Sequence, residues 1–207
     1  MCLIIHKPAG VAVPEELVRA AVRFNGDGWG AMGLNAGGRL ITTRVARTRA
    51  ADIEAFATAY RADELVLHLR FRTRGAANAR NVQPFEVVPG LYLMHHGELD
   101  LPRRLVERSD SWHLVNDLLR PLVQRHPDLT LDRNFLRLFE QGIGPANRVV
   151  LLHERSGRID IVNAAQGIDY HGLWLSGTRW IDKDILEIPG APQPQRRSYH
   201  ATGLRFA

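Results

Sequence analysis

The apolar residues of this chain fall into short alternating runs that come in pairs, and into separate blocks of helical spacing, with no regular strand–helix–strand series. Leu3 to His6 read as a short buried strand, and Pro14 opens a helix with Leu17, Val18, Ala21 and Val22 on one face. Gly30 to Leu34 and Arg39 to Val45 flank the turn Asn35-Ala36-Gly37-Gly38 as a hairpin, and Ala50 to Tyr60 is a second amphipathic helix. Glu64 to Phe71 alternates as a strand does, and Phe85 to Val88 and Leu91 to His95 pair across Pro89-Gly90. Ser109, Asp110 and Ser111 are N-cap types ahead of a helix through Trp112, Val115, Leu118, Leu119 and Leu122, bent at Pro121. Asp132 to Glu140 is a further helix ending at Gly142, and Val149 to His153 pairs with Ile159 to Asn163 across Ser156-Gly157. Paired strands and segregated helices select an α+β layered fold over a doubly wound parallel one.

At 207 residues and 45% hydrophobic content the chain is expected to form one domain over residues 1–188. Residues 189–207 lack periodicity and are read as a tail. No apolar run reaches the length of a membrane helix, and the opening MCLIIHKPAG is too short for a signal-peptide core, so a cytoplasmic location is expected. The net charge of +5 raises nucleic acid as a partner. Lysine occurs only at positions 7 and 183, however, and the arginines are spread among 22 acidic residues, so no specific nucleic-acid site is expected. The densest group, Arg70, Arg72, Arg74 and Arg80, suits a small anionic substrate.

The single cysteine is Cys2, directly behind the initiator methionine. One cysteine makes no intramolecular disulfide, and position 2 is an odd place for a core thiol. Removal of Met1 is expected, because the second side chain is small, and it leaves a thiol and a free α-amine on one residue. An α-amine titrates at roughly 7.7 to 8.0, so it takes the thiol proton at cellular pH, directly or through a water. The thiolate then attacks a carbonyl to form a thioester. Met-Cys alone is weak evidence and is more often incidental.

Its company is more specific. Along the chain follow Asn25-Gly26-Asp27-Gly28-Trp29-Gly30, Leu69-Arg70-Phe71-Arg72-Thr73-Arg74-Gly75, Asn81-Val82-Gln83-Pro84-Phe85, Met94-His95-His96-Gly97 and Ser109-Asp110-Ser111. This ordered series, over about residues 2 to 125, resembles the glutamine-hydrolysing domain of class II glutamine amidotransferases, which are N-terminal nucleophile hydrolases. Their stand-alone Asp-Gly-Trp-Gly type is the nearer likeness. The family pattern is an N-terminal Cys, an Asp-Gly turn, Arg-x-x-Thr-x-Gly, Asn-x-His-Pro-Phe, His-Asn-Gly and Ser-Asp-Thr. This chain departs from it at His96, where the family has asparagine, at Gln83, where it has histidine, and in lacking an arginine ahead of the Asp-Gly turn.

The resemblance implies a four-layer αββα sandwich, and it implies roles. Cys2 is the nucleophile, Arg70 binds the α-carboxylate of glutamine through a planar fork, and Asp110 holds its α-ammonium. Phe71, Thr73 and Gly75 shape the pocket, and Asp27 and Gly28 form a supporting turn. Gly97 donates its backbone N–H to the oxyanion, with His96 as the second donor if its tautomer allows.

Taken singly, these residues have plainer readings. Arg70 alone is a solvated charge, Asp110 alone an N-cap, and the glycines around Asp27 a turn. His95-His96 does not read as a metal site, since adjacent strand residues face opposite ways and no carboxylate or second cysteine completes a ligand set. His68 and His153 read as structural or surface residues. The expected reaction is cofactor-free hydrolysis of glutamine to glutamate and ammonia, with any ammonia acceptor on a separate synthase subunit. The alternatives are an amidohydrolase acting on a larger γ-glutamyl metabolite, and a catalytically silent binding member of the fold.

Overall fold

A computed structural model describes residues 2–188, so the tail read at 189–207 lies outside the described residues. In chain order its elements are β1 (Leu3–Lys7), α1 (Glu15–Val22), β2 (Trp29–Leu34), β3 (Leu40–Val45), α2 (Ala50–Ala59), β4 (Glu64–Leu69), β5 (Phe85–Val88) and β6 (Leu91–His96). There follow α3 (Asp110–His113), α4 (Arg120–Arg125), α5 (Arg133–Ile143), β7 (Arg148–His153), β8 (Arg158–Val162), β9 (Ile168–Tyr170) and β10 (Leu173–Leu175). Two antiparallel sheets result, one ordered β3-β2-β4-β1-β10-β9 and the other β5-β6-β7-β8.

Strand alternation decides what each sheet face buries. Leu3, Ile5, Leu67 and Leu69 of the first sheet pack with Leu17 and Val18 of α1 and Ile53 of α2. On the opposite faces of the same strands, Ile4, Met32 and Val66 meet Met94, Val150 and Leu152 of the second sheet. The second sheet's other face, with Val87, Leu93 and Leu151, buries Leu114, Leu119, Val123 and Ile143. Among the described residues no helix is long and apolar enough to cross a membrane.

Several element boundaries differ from the sequence reading, each for a physical reason. The helix after Ser109 is not continuous: α3 passes at Leu114–Leu119 into a wider π winding before α4. Pro121 has no N–H to give, and the change of register ahead of it places the proline in the first turn of α4, where no donor is missed. The helix read to stop at Gly142 runs on to Ile143 and ends at Gly144, whose φ is +73°. β1 extends to Lys7, whose buried ammonium donates to the carbonyls of Pro8, Arg61 and Asp63. The β9–β10 hairpin went unread, although its two-residue turn His171-Gly172, with both φ positive at 50° and 80°, is the primed type that hairpins favour.

Candidate functional site

Cys2 stands at the head of β1, one residue before the Leu3↔Leu69 pair, so it lies across from Arg70. One cleft is lined by Cys2, Arg70, Phe71, Thr73, Gly97 and Asp110 together with Arg72, Arg74, Asn81, Gln83, His95, Ser109 and Ser111. Six of the ten site residues read from sequence therefore meet, although they span 108 positions from Cys2 to Asp110. Asp27, Gly28, Gly75 and His96 are not on this lining. The cleft encloses about 20 Å³, the room of roughly one water, so an amino-acid ligand fits only if the cleft widens; its Arg72-Thr73 rim is exposed.

Each member is held by its neighbours. The Cys2 thiol donates to the Phe71 carbonyl at 3.7 Å. Burial pushes its pKa above the ordinary thiol value, so the resting sulfur is protonated and needs a base at the moment of attack. Arg70 is 3% exposed; its Nη2 donates to the Arg74 carbonyl at 3.2 Å, while its buried Nη1 has no partner among the described residues. An unpaired donor on a buried cation is costly unless a ligand completes it. The Asp27 turn braces the same segment: Gly28 O accepts from Arg70 N at 2.8 Å, and Asp27 Oδ2 accepts from Arg72 N at 2.8 Å.

Ser109, not Asp110, caps α3: its Oγ accepts from Trp112 N. Asp110 is thereby free to face the cleft, its carboxylate fixed by the N–H groups of Leu99 at 2.8 Å and Ser111 at 2.9 Å. Gly75 abuts this segment from behind. A Cβ there would lie 2.8 Å from Ser109 N, and φ is +75°, so glycine permits both the turn and the contact. Gly97 has φ +135°, and a Cβ on it would fall 2.1 Å from Asn147 Oδ1.

Along the wall of the cleft runs a directed hydrogen-bond chain that sequence reading missed. His95 Nε2 lies 2.9 Å from Asn147 Oδ1, which only accepts, so that nitrogen carries the proton. Burial lowers the pKa of His95, so the ring is neutral and its Nδ1 accepts from Ser111 Oγ at 2.8 Å. Gln83 Nε2 donates to Ser111 Oγ at 3.2 Å, and Gln83 Oε1 accepts from His95 N. Gln83 thus works at both ends of its amide. A proton-accepting oxygen and a donating nitrogen at one position are what this chain requires.

His96 points the other way, as strand alternation dictates. Its Nδ1 lies 2.8 Å from Ser176 Oγ, which also accepts from Ile4 N at 2.8 Å. Ser176 and Asn147 are 80 and 52 positions from their histidines, and no local pattern announces them. His68, read as structural or surface, is wholly buried with neither ring nitrogen partnered among the described residues. Burial, helped by the nearby Arg70 charge, pulls its pKa down to about 3. Among the described residues no three His, Cys, Asp or Glu side chains gather as a metal site.

No family model matches the chain, and no curated protein matches it. Among solved structures it is similar to a glutamine phosphoribosylpyrophosphate amidotransferase from B. subtilis complexed with ADP and GMP. The identity is 12% and the TM-score 0.42, over 87% of this chain and 42% of that one. The chain spans less than half the length of that protein, and a likeness of this size carries no weight for activity; the chemistry rests on the cleft itself.

Proposed function

We propose that the protein is a cysteine amidohydrolase of the N-terminal nucleophile type, an αββα sandwich that cleaves the side-chain amide of glutamine. The observation that carries the reading is the meeting, in one cleft, of Cys2 with a buried guanidinium holding a spare donor and a carboxylate held by backbone N–H groups. Arg70 pairs with the α-carboxylate of the substrate and Asp110 with its α-ammonium. The side-chain amide is left at the sulfur, so binding at the unreacting end positions the reacting carbon.

With Met1 removed, the Cys2 α-amine takes the thiol proton as sulfur attacks the amide carbon. The C–N bond then breaks, ammonia leaves with that proton, and a thioester remains. Water, deprotonated by the same amine, attacks the thioester; the C–S bond breaks, glutamate departs and the thiol is restored. Gly97 N–H faces the developing oxyanion. His96, off the cleft lining with its Nδ1 against Ser176 Oγ, takes no part in the proposed reaction. Burial lowers the pKa of His96 well below the usual value and keeps its ring neutral.

The test is glutamate release from free glutamine, compared between the parent and Arg70→Lys. Lysine keeps the charge but loses the fork, so KM is expected to rise about 10- to 100-fold, the worth of one or two charge-assisted hydrogen bonds. A KM unmoved by the substitution would remove Arg70 from substrate binding. Turnover absent with glutamine but present with a γ-glutamyl amide would shift the reading to the larger metabolite.

A further inference from the structure

On the far side of the segment that walls the Cys2 cleft lies a larger cavity of about 560 Å³, within the roughly 300 to 1,000 Å³ range of small-molecule sites. The two share a partition. Asn81, Gln83, Ser109 and Ser111 face the cleft, while Arg80, Pro84, Arg108 and Trp112 face the cavity. Its opposite wall is the edge strand β3, with Thr42 and Arg44 on one face of the pleat, and β5 and β6 close it with Phe85, Glu86 and Tyr92.

Four of its twelve lining residues are arginine, whereas the whole chain holds 27 basic residues in 207. The general abundance of arginine does not account for that concentration, and the four are not equivalent. Arg120 is spent on the fold, donating to the carbonyls of Val87 and Glu86 and to Asn116 Oδ1. Arg108 gives one hydrogen bond, to Arg80 O at 3.2 Å, and lies over the Trp112 ring at 5.0 Å. The guanidinium groups of Arg44 and Arg80 have no hydrogen-bond or ion-pair partner among the described residues. The one carboxylate on the lining, Glu86, accepts from the Tyr92 hydroxyl. Burial and the Glu86 charge raise the Tyr92 pKa, so that hydroxyl stays a neutral donor.

We infer that this cavity is a second binding site, for a small polyanion carrying at least two phosphate or carboxylate groups. Arg44 on one wall faces Arg80 and Arg108 on the other, so a ligand with a single charge leaves one wall unpaired, and one with two bridges them. Guanidinium forks match either oxyanion geometry, and a concave, partly enclosed setting strengthens the attraction. The site is independent of the Cys2 chemistry and stands whether or not glutamine is the substrate.

Calorimetric titration of the full chain with inorganic pyrophosphate, and separately with citrate, at low and at physiological salt tests it and separates the two sources of charge. The expected result is saturable one-to-one binding of at least one probe, unchanged in Cys2→Ala. The Arg44→Ala/Arg80→Ala double variant is expected to lose about tenfold in affinity per arginine. Both arginines are exposed, and unchanged thermal unfolding of that variant confirms that the loss is of binding. Absence of saturable binding by both probes overturns the inference. So does binding that survives the double substitution, or tight binding of a single-stranded RNA oligomer with which pyrophosphate does not compete.

Discussion

Cys2→Ala is expected to lower amide hydrolysis by at least about 10^4-fold while leaving thermal unfolding nearly unchanged. Loss of a covalent nucleophile removes the step itself rather than tuning it, and what survives is the catalysis that binding and oxyanion stabilisation supply. The structural cost is small because the residue as a whole is partly exposed and the thiol's hydrogen bond, to the Phe71 carbonyl, is a long one. The pH profile carries the same logic. Burial raises the thiol pKa, so under the proposed mechanism activity of the parent protein is expected to rise as the α-amine loses its proton through about pH 8. The measurement is kcat/KM for glutamate release from about pH 6 to about pH 9, on parent and variant. Activity in Cys2→Ala within tenfold of the parent would remove the cysteine from the mechanism.

The second large effect is on stability in acid. His68 is neutral in the fold, with a pKa of about 3 against 6.5 ordinarily, because burial disfavours the charged ring and the neighbouring Arg70 charge adds to that. As pH falls through 6.5 the unfolded chain takes up a proton that the native state refuses until about 3, so the unfolded state gains ground throughout that window. The full window is worth on the order of 5 kcal/mol, and at about pH 4.5 the loss is about 2 to 3 kcal/mol. His95 and His96, both lowered by burial, push in the same direction. His68→Leu removes one titration, so urea unfolding at about pH 7 and about pH 4.5 is expected to show a smaller acid loss in the variant. Equal losses in both proteins would mean that His68 is not the group responsible.

What the sequence disclosed was local or was carried by an ordered series. The Asn35–Gly38 turn and its strands could be read because turn chemistry and alternation act within a dozen residues, and the observed Leu34↔Leu40 pairing closes that hairpin. Arg70, Thr73, Gly97 and Asp110 were individually unremarkable and became readable only in order behind Cys2. The burial of His68 was not legible, since a histidine between leucines looks alike on an inner or an outer face. Nor were Asn147 and Ser176, which matter because the second sheet and β10 bring them to His95 and His96. The sheet order itself, with β1 between β4 and β10, joins strands far apart in the chain. The π winding before Pro121 was hidden because a helical apolar period continues across it. Ser109 and Asp110 are both good N-caps by composition, and only the Ser109 hydrogen bond to Trp112 N tells which caps and which is left for the cleft.

The central claim is that one terminal residue supplies both nucleophile and base beside a cradle for an amino acid's charged end. Intact-mass measurement after incubation with a diazoketone analogue of glutamine tests it most directly. The account predicts a chain lacking Met1 and carrying a single adduct on Cys2, with labelling slowed by excess glutamine. A chain that keeps Met1, or one that stays unlabelled at saturating analogue, would contradict it.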